Sequence, residues 1–416
     1  MTTTQSAPAA CDVLVVGAGP AGSACAQMLA RAGFDVVLID QHDFPRDKVC
    51  GDGLIADAHR ALARLGVLDE VLAQARGARH VGCIGPRGAR VDLPGTLAVL
   101  SRRELDDIVR RAALAAGARW LAPARFDAPL LDAHQRAIGA RLKLAGGASH
   151  ELRARWIVLA TGAVPLALIA AGVCERRAPS GIALRGYVKN DAMAERITEL
   201  EVVWHRALRG GYGWIFPCAG GVFNIGVGLT HSHANAPDGS ERMSTQHVTL
   251  RELFTAFTRV YAPARELLQG GAPLGELKGA PLRCSLDGAR WSRPGLLVAG
   301  EAAGSTYLLT GEGIGKALET GMLAAQSISE GRDQRFDDTG VRARYEAALS
   351  ELKPRFDLYE KANRINNHPW LADLLIWRAR NSERTMARMR GVLEETDNPG
   401  DLVTAKGLLQ LFLPIR

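Results

Sequence analysis

Asp12-Val13-Leu14-Val15-Val16 runs into Gly17-Ala18-Gly19-Pro20-Ala21-Gly22, a small-residue helix follows, and Phe34-Asp35-Val36-Val37-Leu38-Ile39 closes on Asp40. An apolar strand, a GxGxxG turn, a helix and a second apolar strand ended by an acid make the dinucleotide-binding βαβ fingerprint. Gly17 permits the tight turn, Gly19 lets backbone approach a pyrophosphate, and Gly22 lets helix pack on strand. Pro20 and Ala21 open a helix whose first N–H groups face the phosphates. Asp40, with Gln41 beside it, is placed to accept hydrogen bonds from a ribose. A GxGxxG alone is often only a glycine-rich turn; the strands, helix and acid around this one make it a cofactor site. Pro20 tilts the reading from a plain dehydrogenase toward a flavoprotein.

Outward from this stretch, 416 residues allow two or three units with sizeable cores. The net charge of +7 comes from scattered arginine rather than a basic block, and no zinc module or aromatic-basic alternation points to nucleic acid. Seven widely spaced cysteines without a CxxC pair fit neither a disulfide framework nor a zinc site, and suit a reducing cytoplasm. The first ten residues lack the basic and apolar regions of a secretory signal. Residues 156–174 carry no charge, but Gly162 and Pro165 break them into strand, turn and short helix rather than a membrane span. His231-Ser232-His233 has no third ligand near it and reads as a polar turn, so no metal is expected.

The predicted fold class is α/β, α+β overall. A Rossmann-like FAD-binding domain (1–80, 101–175, 284–345) carries an inserted antiparallel β-sheet substrate domain (81–100, 176–283) and a helical tail over 346–416. GIALRGYVKN, ELEVVWHRALRGGYGWIFPCAGGVFNIGVGL and the segments after them read as antiparallel strands. In the tail, Trp370, Leu371, Leu374, Leu375 and Trp377 form an apolar stripe that packs in a core, or else meets a membrane or a substrate mouth.

Two further segments join the fingerprint: FPRDKVCGDGL (44–54) and VAGEAAGSTYLLTGEGIG (298–315). A flavin nucleotide is too long for one glycine loop. Gly311, Glu312, Gly313 and Ile314 open a helix suited to the electron-rich edge of the flavin ring, where backbone N–H groups and the helix dipole stabilise negative charge. Arg46 and Lys48 either pair with phosphate or a substrate acid, or lie on a solvated loop face.

With GAGPAG and Asp40, FPRDKVCGDGL, the SRRELD helix start, YGWIFP (212–217) with NIGVG (224–228), and TGEGIG, the chain resembles the geranylgeranyl reductase family, of the p-hydroxybenzoate hydroxylase fold, over residues 10–340. The resemblance implies FAD, with Cys50, Gly51 and Gly53 beside the isoalloxazine and Arg102 in contact with the cofactor. It also implies a substrate tunnel walled by Tyr212, Trp214, Phe216 and Pro217. Ala160, Thr161 and Gly162 stand where the family has an acid-bearing ADG element, and Leu308 stands where it has proline. Gly300, Glu301 and Gly304 replace its GDAAG, lengthening the ribityl-binding acid by one methylene.

The implied reaction is hydride transfer from reduced flavin to a C=C bond of a hydrophobic, isoprenoid-like or carrier-bound substrate, with NAD(P)H as electron donor. Cys50 is the nearest proton donor or relay and Tyr212 a second; each reads equally well as packing. A monooxygenase or halogenase, and a flavin-binding accessory or maturation protein, are the alternatives. Peripheral membrane contact through the C-terminal stripe belongs to the same expectation.

Overall fold

Val13 to Val16 are buried on both sides of strand Ala10–Val16, as a parallel strand between two helical layers requires. The computed structural model describes residues 7–231, 249–335, 337–397 and 402. In it, this strand pairs in parallel with Val36–Ile39 and Ser149–Leu159. The sheet runs Ser292–Arg293, Leu296–Val298, Ser149–Leu159, Ala10–Val16, Val36–Ile39, Arg119–Leu121, and Ala124–Leu131 with Ala137–Leu144 extends it as an antiparallel ribbon. Helix Pro20–Arg31 lies across it, packed between Arg102–Ala115 and Ile314–Asp333.

A second, nine-stranded sheet gathers Gly53–Leu54, Arg76–Ile84 and Arg90–Val99 with strands between Gly181 and Leu282. Within it, Gly211–Pro217 and Val222–Thr230 form the hairpin that carries YGWIFP and NIGVG. Trp214 faces Gly226 across that hairpin, and a Cβ at Gly226 would lie 2.2 Å from the Trp214 ring. The glycine is there to hold the indole. Gly213 does the same for Phe257, whose ring would sit 2.5 Å from an added Cβ.

Three expectations change. Residues 250–269 form helices Leu250–Val260 and Ala262–Gln269, not strands: Thr249 and Glu252 make a capping box, and Leu253, Phe254 and Phe257 bury one face. Strand Leu200–Val203 runs parallel to Arg76–Ile84, although the rest of its sheet is antiparallel. In helix Trp370–Arg380 the buried face is Ala372, Leu375, Ile376 and Ala379, so Trp370 and Trp377 stand 60% and 55% exposed rather than in a core. Ser232 and His233 lie outside the described residues. Among those residues no His/Cys/Asp/Glu cluster could hold a metal, and no helix is long and apolar enough to cross a membrane.

Candidate active site

The two sheets and the C-terminal helices enclose a cavity of about 770 Å³. The glycine turn forms one end. Gly17 sits at φ +100, and a Cβ there would lie 2.4 Å from the Ala160 carbonyl oxygen. One at Gly22 would lie 1.8 Å from the Gly17 oxygen. Both glycines are therefore demanded by the chain's own packing, and Gly22 does not line the cavity. Gly19 differs: an added Cβ meets only Arg46 Nη2 at 3.6 Å and Arg102 Nη2 at 3.8 Å. The space beside Gly19 is left for something other than protein.

Asp106, fully buried, holds both guanidinium groups there: Arg102 forks onto it at 2.7 and 2.9 Å, and Arg46 reaches it at 3.0 Å. The second amino nitrogen of Arg46, Nη1, is buried without a partner, as is the Thr161 hydroxyl on the same wall. Two fixed cations, an orphaned donor and a helix N-terminus around an open glycine fit a pyrophosphate. Asp40 accepts the Ala18 and His42 N–H groups at 2.9 and 3.0 Å. Its carboxylate thus shapes the turn and keeps lone pairs for a ribose. Ala124, Arg125 and Phe126 close this end of the cavity. Sequence reasoning missed them, because the Ala124 N–H to Asp40 carbonyl bond (2.7 Å) that brings that strand here joins residues far apart in the chain.

The CGDG loop crosses the middle. Asp52 adopts φ +66 and is fully buried, a costly place for a carboxylate. Four groups offset that cost or depend on it. Arg102 N–H reaches Oδ1 at 3.3 Å, the Tyr187 hydroxyl and Asn224 Nδ2 (2.8 Å) donate to Oδ2, and Leu100 N–H donates to its carbonyl at 3.1 Å. Burial nonetheless pushes the Asp52 carboxyl up to about 6, against the pull of Tyr187 and Asn224. Asn224 also donates to the Cys50 carbonyl at 2.8 Å and accepts from Trp214 Nε1 at 2.9 Å. One amide thus locks the loop to the aromatic wall. Gly51 and Gly53 line the cavity, and Phe216 covers their bare faces, 3.2 and 3.4 Å from an added Cβ. Burial raises the Cys50 thiol above its ordinary value, over the opposing charge of Arg102, so it stands as S–H.

The third segment contributes less than expected at its start. Gly300 and Gly304 do not line the cavity. At φ +66 and +87 they turn the backbone where a Cβ would strike Ala21 or the Asp287 amide, each at 2.7 Å. Glu301 does line it, paired with Lys48 at 3.6 Å. Ala160, Gly162, Gly311, Glu312, Gly313 and Ile314 line it too, as do Pro20, Ala21 and Gln41. Tyr212 donates its hydroxyl to the Thr310 carbonyl, and burial drives its acidity down, which ties the aromatic wall to this loop.

The far end is apolar. Trp204, Tyr212, Trp214 and Phe216 form a tilted ladder with ring centroids 6.2–6.5 Å apart. Leu309, Ile365, Leu375, Ile376, Met389 and Val392 face it. Pro217, expected in this wall, is buried beyond its end and does not line the cavity. Trp204 and the C-terminal helices were missed: nothing local marks a tail helix as a tunnel wall.

Residues 10–207 match the FAD binding domain family. A menaquinone reductase of Mycobacterium tuberculosis is 38% identical over 333 residues, 76% of each chain. Digeranylgeranylglycerophospholipid reductase 1 of Methanopyrus kandleri is 29% identical over 393 residues, 88% of this chain and 96% of the relative. A geranylgeranyl bacteriochlorophyll reductase-like structure from Thermoplasma acidophilum superposes with a TM-score of 0.72 at 21% identity, covering 97% of this chain and 96% of that one. A flavin-dependent brominase superposes with a TM-score of 0.74 at 17% identity, covering 96% and 99%. The latter two bear on the fold alone. Identity at 38% across most of both chains carries further, and the matched domain makes FAD the cofactor. The chain belongs to the geranylgeranyl reductase family of FAD-dependent oxidoreductases.

Proposed function

We propose that this chain saturates C=C bonds of a hydrophobic, isoprenoid-like substrate, with NAD(P)H as the source of electrons. One observation carries the reading. The cofactor cradle opens directly into an apolar tunnel walled by the Trp204–Phe216 ladder on one side and the C-terminal helices on the other. Arg46, Arg102 and Asp40 would hold the nucleotide half of FAD, and the CGDG and TGEG loops its ring. When bound, FAD supplies the hydride. The chain aligns the alkene, excludes water and keeps a proton at Cys50 Sγ for the second carbon. Tyr212, committed to Thr310, positions the loop rather than donating.

The test is anaerobic. Reduced enzyme mixed with menaquinone or a geranylgeranyl lipid should re-oxidise within the time of a turnover and yield the saturated product. Re-oxidation by oxygen alone, through an oxygen adduct, would instead indicate the monooxygenase or halogenase chemistry of the fold. A protein that takes up no FAD would indicate an accessory role. NADH and NADPH should each be tried for bleaching of the bound flavin.

The substrate's chemistry also bears on where the protein works. Helix Trp370–Arg380 turns Leu375 and Ile376 to the tunnel and Trp370 and Trp377 outward. Residues 361–390 carry seven Lys/Arg against two Asp/Glu. Exposed indoles amid positive charge suit an anionic bilayer surface, where a lipid substrate would enter. Trp370→Ser/Trp377→Ser should lower co-sedimentation with phosphatidylglycerol vesicles at least tenfold and leave FAD content unchanged. Equal sedimentation of both proteins would refute the contact.

A further inference from the structure

The aromatic ladder has two distinct ends. Phe216 covers the bare faces of Gly51 and Gly53, and Tyr212 donates to the Thr310 carbonyl, so these rings stand at the CGDG and TGEG loops. Trp204 is the last ring, 6.2 Å from Tyr212 and beyond both loops. It is held from two directions. Its backbone N–H donates to the Ile84 carbonyl at 2.9 Å, and its indole N–H donates to Asn366 Oδ1 at 2.8 Å. Asn366 is fully buried, and its amide nitrogen donates to the Leu309 carbonyl at 3.1 Å and to Asn363 Oδ1 at 2.8 Å. With that nitrogen committed, the Asn366 oxygen faces the indole, which has only a donor to offer. The ring is therefore fixed in orientation.

Two apolar clusters meet at this ring. The inner one contains Leu309, Ile365, Leu375 and Val392, and adjoins the TGEG loop through Leu309. The outer one contains Val81, Cys83, Leu93, Ile376 and Leu393, from strands Arg76–Ile84 and Arg90–Val99 and helices Trp370–Arg380 and Glu383–Leu393. All of these residues line the one cavity. Among the described residues, Trp204 and Met389 alone pack against both clusters, and both line the cavity too. One comes from the strand side and the other from helix Glu383–Leu393. The cavity has a waist there, with a fixed indole on one side and an adaptable thioether on the other. A bond that merely staples the fold would explain Asn366. It does not explain a pinned ring whose free surface faces a cavity.

The outer stretch closes at the hairpin between its two strands. A Cβ at Gly85 would lie 2.3 Å from Asp373 Oδ1 and 3.1 Å from Ile376, and one at Gly95 would lie 2.8 Å from Leu393. The Arg87 N–H donates to Asp373 at 3.2 Å and the Thr96 N–H to Glu394 at 2.6 Å, fastening the helices to the hairpin. The outer stretch is thus a pocket of limited length, and the side chains named in its wall carry no charge.

We propose that the Trp204–Met389 waist selects the substrate by shape: a slender prenyl tail passes it and lodges in the outer pocket, while a fused ring or polar head stays on the flavin side. The inference rests on the alkene-reductase reading and adds to it a second subsite, for the part of the chain beyond the reacting bond. Hydrophobic burial holds the tail there. Because the pocket closes at Gly85 and Gly95, added length tightens binding only until the pocket is full.

Calorimetric binding of menaquinone homologues of increasing tail length to the oxidised holoenzyme tests this without turnover. The dissociation constant should fall roughly tenfold or more at the first homologue whose tail crosses the waist, then level off. Met389→Trp blocks the waist and should erase that step, leaving successive homologues within about threefold of one another. Trp204→Ala widens it, so a tail tipped with a phenyl ring should bind within about threefold of a plain tail of equal length. The parent should discriminate between those two tails by about tenfold or more. Ratios are taken within each protein, so a general loss of affinity cancels, and either variant suffices if the other fails to fold. The proposal is overturned by a parent affinity that changes smoothly with length, by a step that survives Met389→Trp, or by a phenyl tip that Trp204→Ala still excludes. Homologues that bind with the step but are never saturated by reduced enzyme overturn the reductase reading and leave the waist standing. Binding of none overturns both.

Discussion

Gly19→Ala and Gly22→Ala, two methyl groups added three residues apart, should have opposite effects. At Gly22 the new Cβ would sit 1.8 Å from the Gly17 oxygen, roughly 1.6 Å inside ordinary contact at 3.4 Å. Strand and helix both carry backbone there, so neither yields cheaply, and overpacking of this kind costs about 3 kcal/mol. At Gly19 the nearest protein atoms are flexible guanidinium nitrogens at 3.6 and 3.8 Å, and the backbone is not left-handed. The apoprotein should change by no more than ~0.5 kcal/mol, since a slightly poorer helix cap offsets the entropy lost from the unfolded chain. The methyl would occupy the space argued to belong to a pyrophosphate. A clash of about 2–3 kcal/mol there weakens FAD roughly 30- to 150-fold. Urea unfolding of apoprotein and a flavin fluorescence titration measure the two quantities separately. Gly22→Ala should fail the first, Gly19→Ala only the second. If Gly19→Ala binds FAD within threefold of the parent, the cradle is misassigned.

Asn224→Ala removes three hydrogen bonds at once, stranding the Trp214 N–H and the Cys50 carbonyl and leaving the Asp52 carboxylate with Arg102 and Tyr187 alone. Water from the cavity can reach the gap, which places the loss near the low end, about 3–4 kcal/mol by urea unfolding; a loss under ~1 kcal/mol would show that the clamp is incidental. Asp52 gives a pH signature. Its folded-state carboxyl titrates near 6 against 3.8 unfolded, so the native state holds the proton more tightly. Its contribution to stability is therefore full below about 4 and lost as pH rises through 6, by at most ~3 kcal/mol. Asp52→Asn should flatten that slope in apoprotein unfolding between pH 4 and 6, and an unchanged slope would remove Asp52 as its source.

The local motifs announced much of this. Thr249 and Glu252, spaced as a capping box, and Leu250, Leu253, Phe254 and Phe257, spaced at one helix face, already mark the helix that the strand reading of this region passed over. YGWIFP and NIGVG pair as a hairpin because the glycines of one strand seat the indole of the other. Gly300 and Gly304 show the limit. Their glycine character is real, and Ala21 and Asp287, brought in from elsewhere in the chain, already demand it.

By itself the sequence determined the βαβ turn at Gly17–Gly22, the acid at Asp40 and the helix caps, because each rests on backbone geometry within a few residues. Only the tertiary structure decided which glycine is left open for a ligand, that Asn224 clamps Cys50 and Asp52 from about 170 residues away, and that Glu395 pairs with Lys316. Burial and through-space charge set those properties, and both are created when distant segments meet.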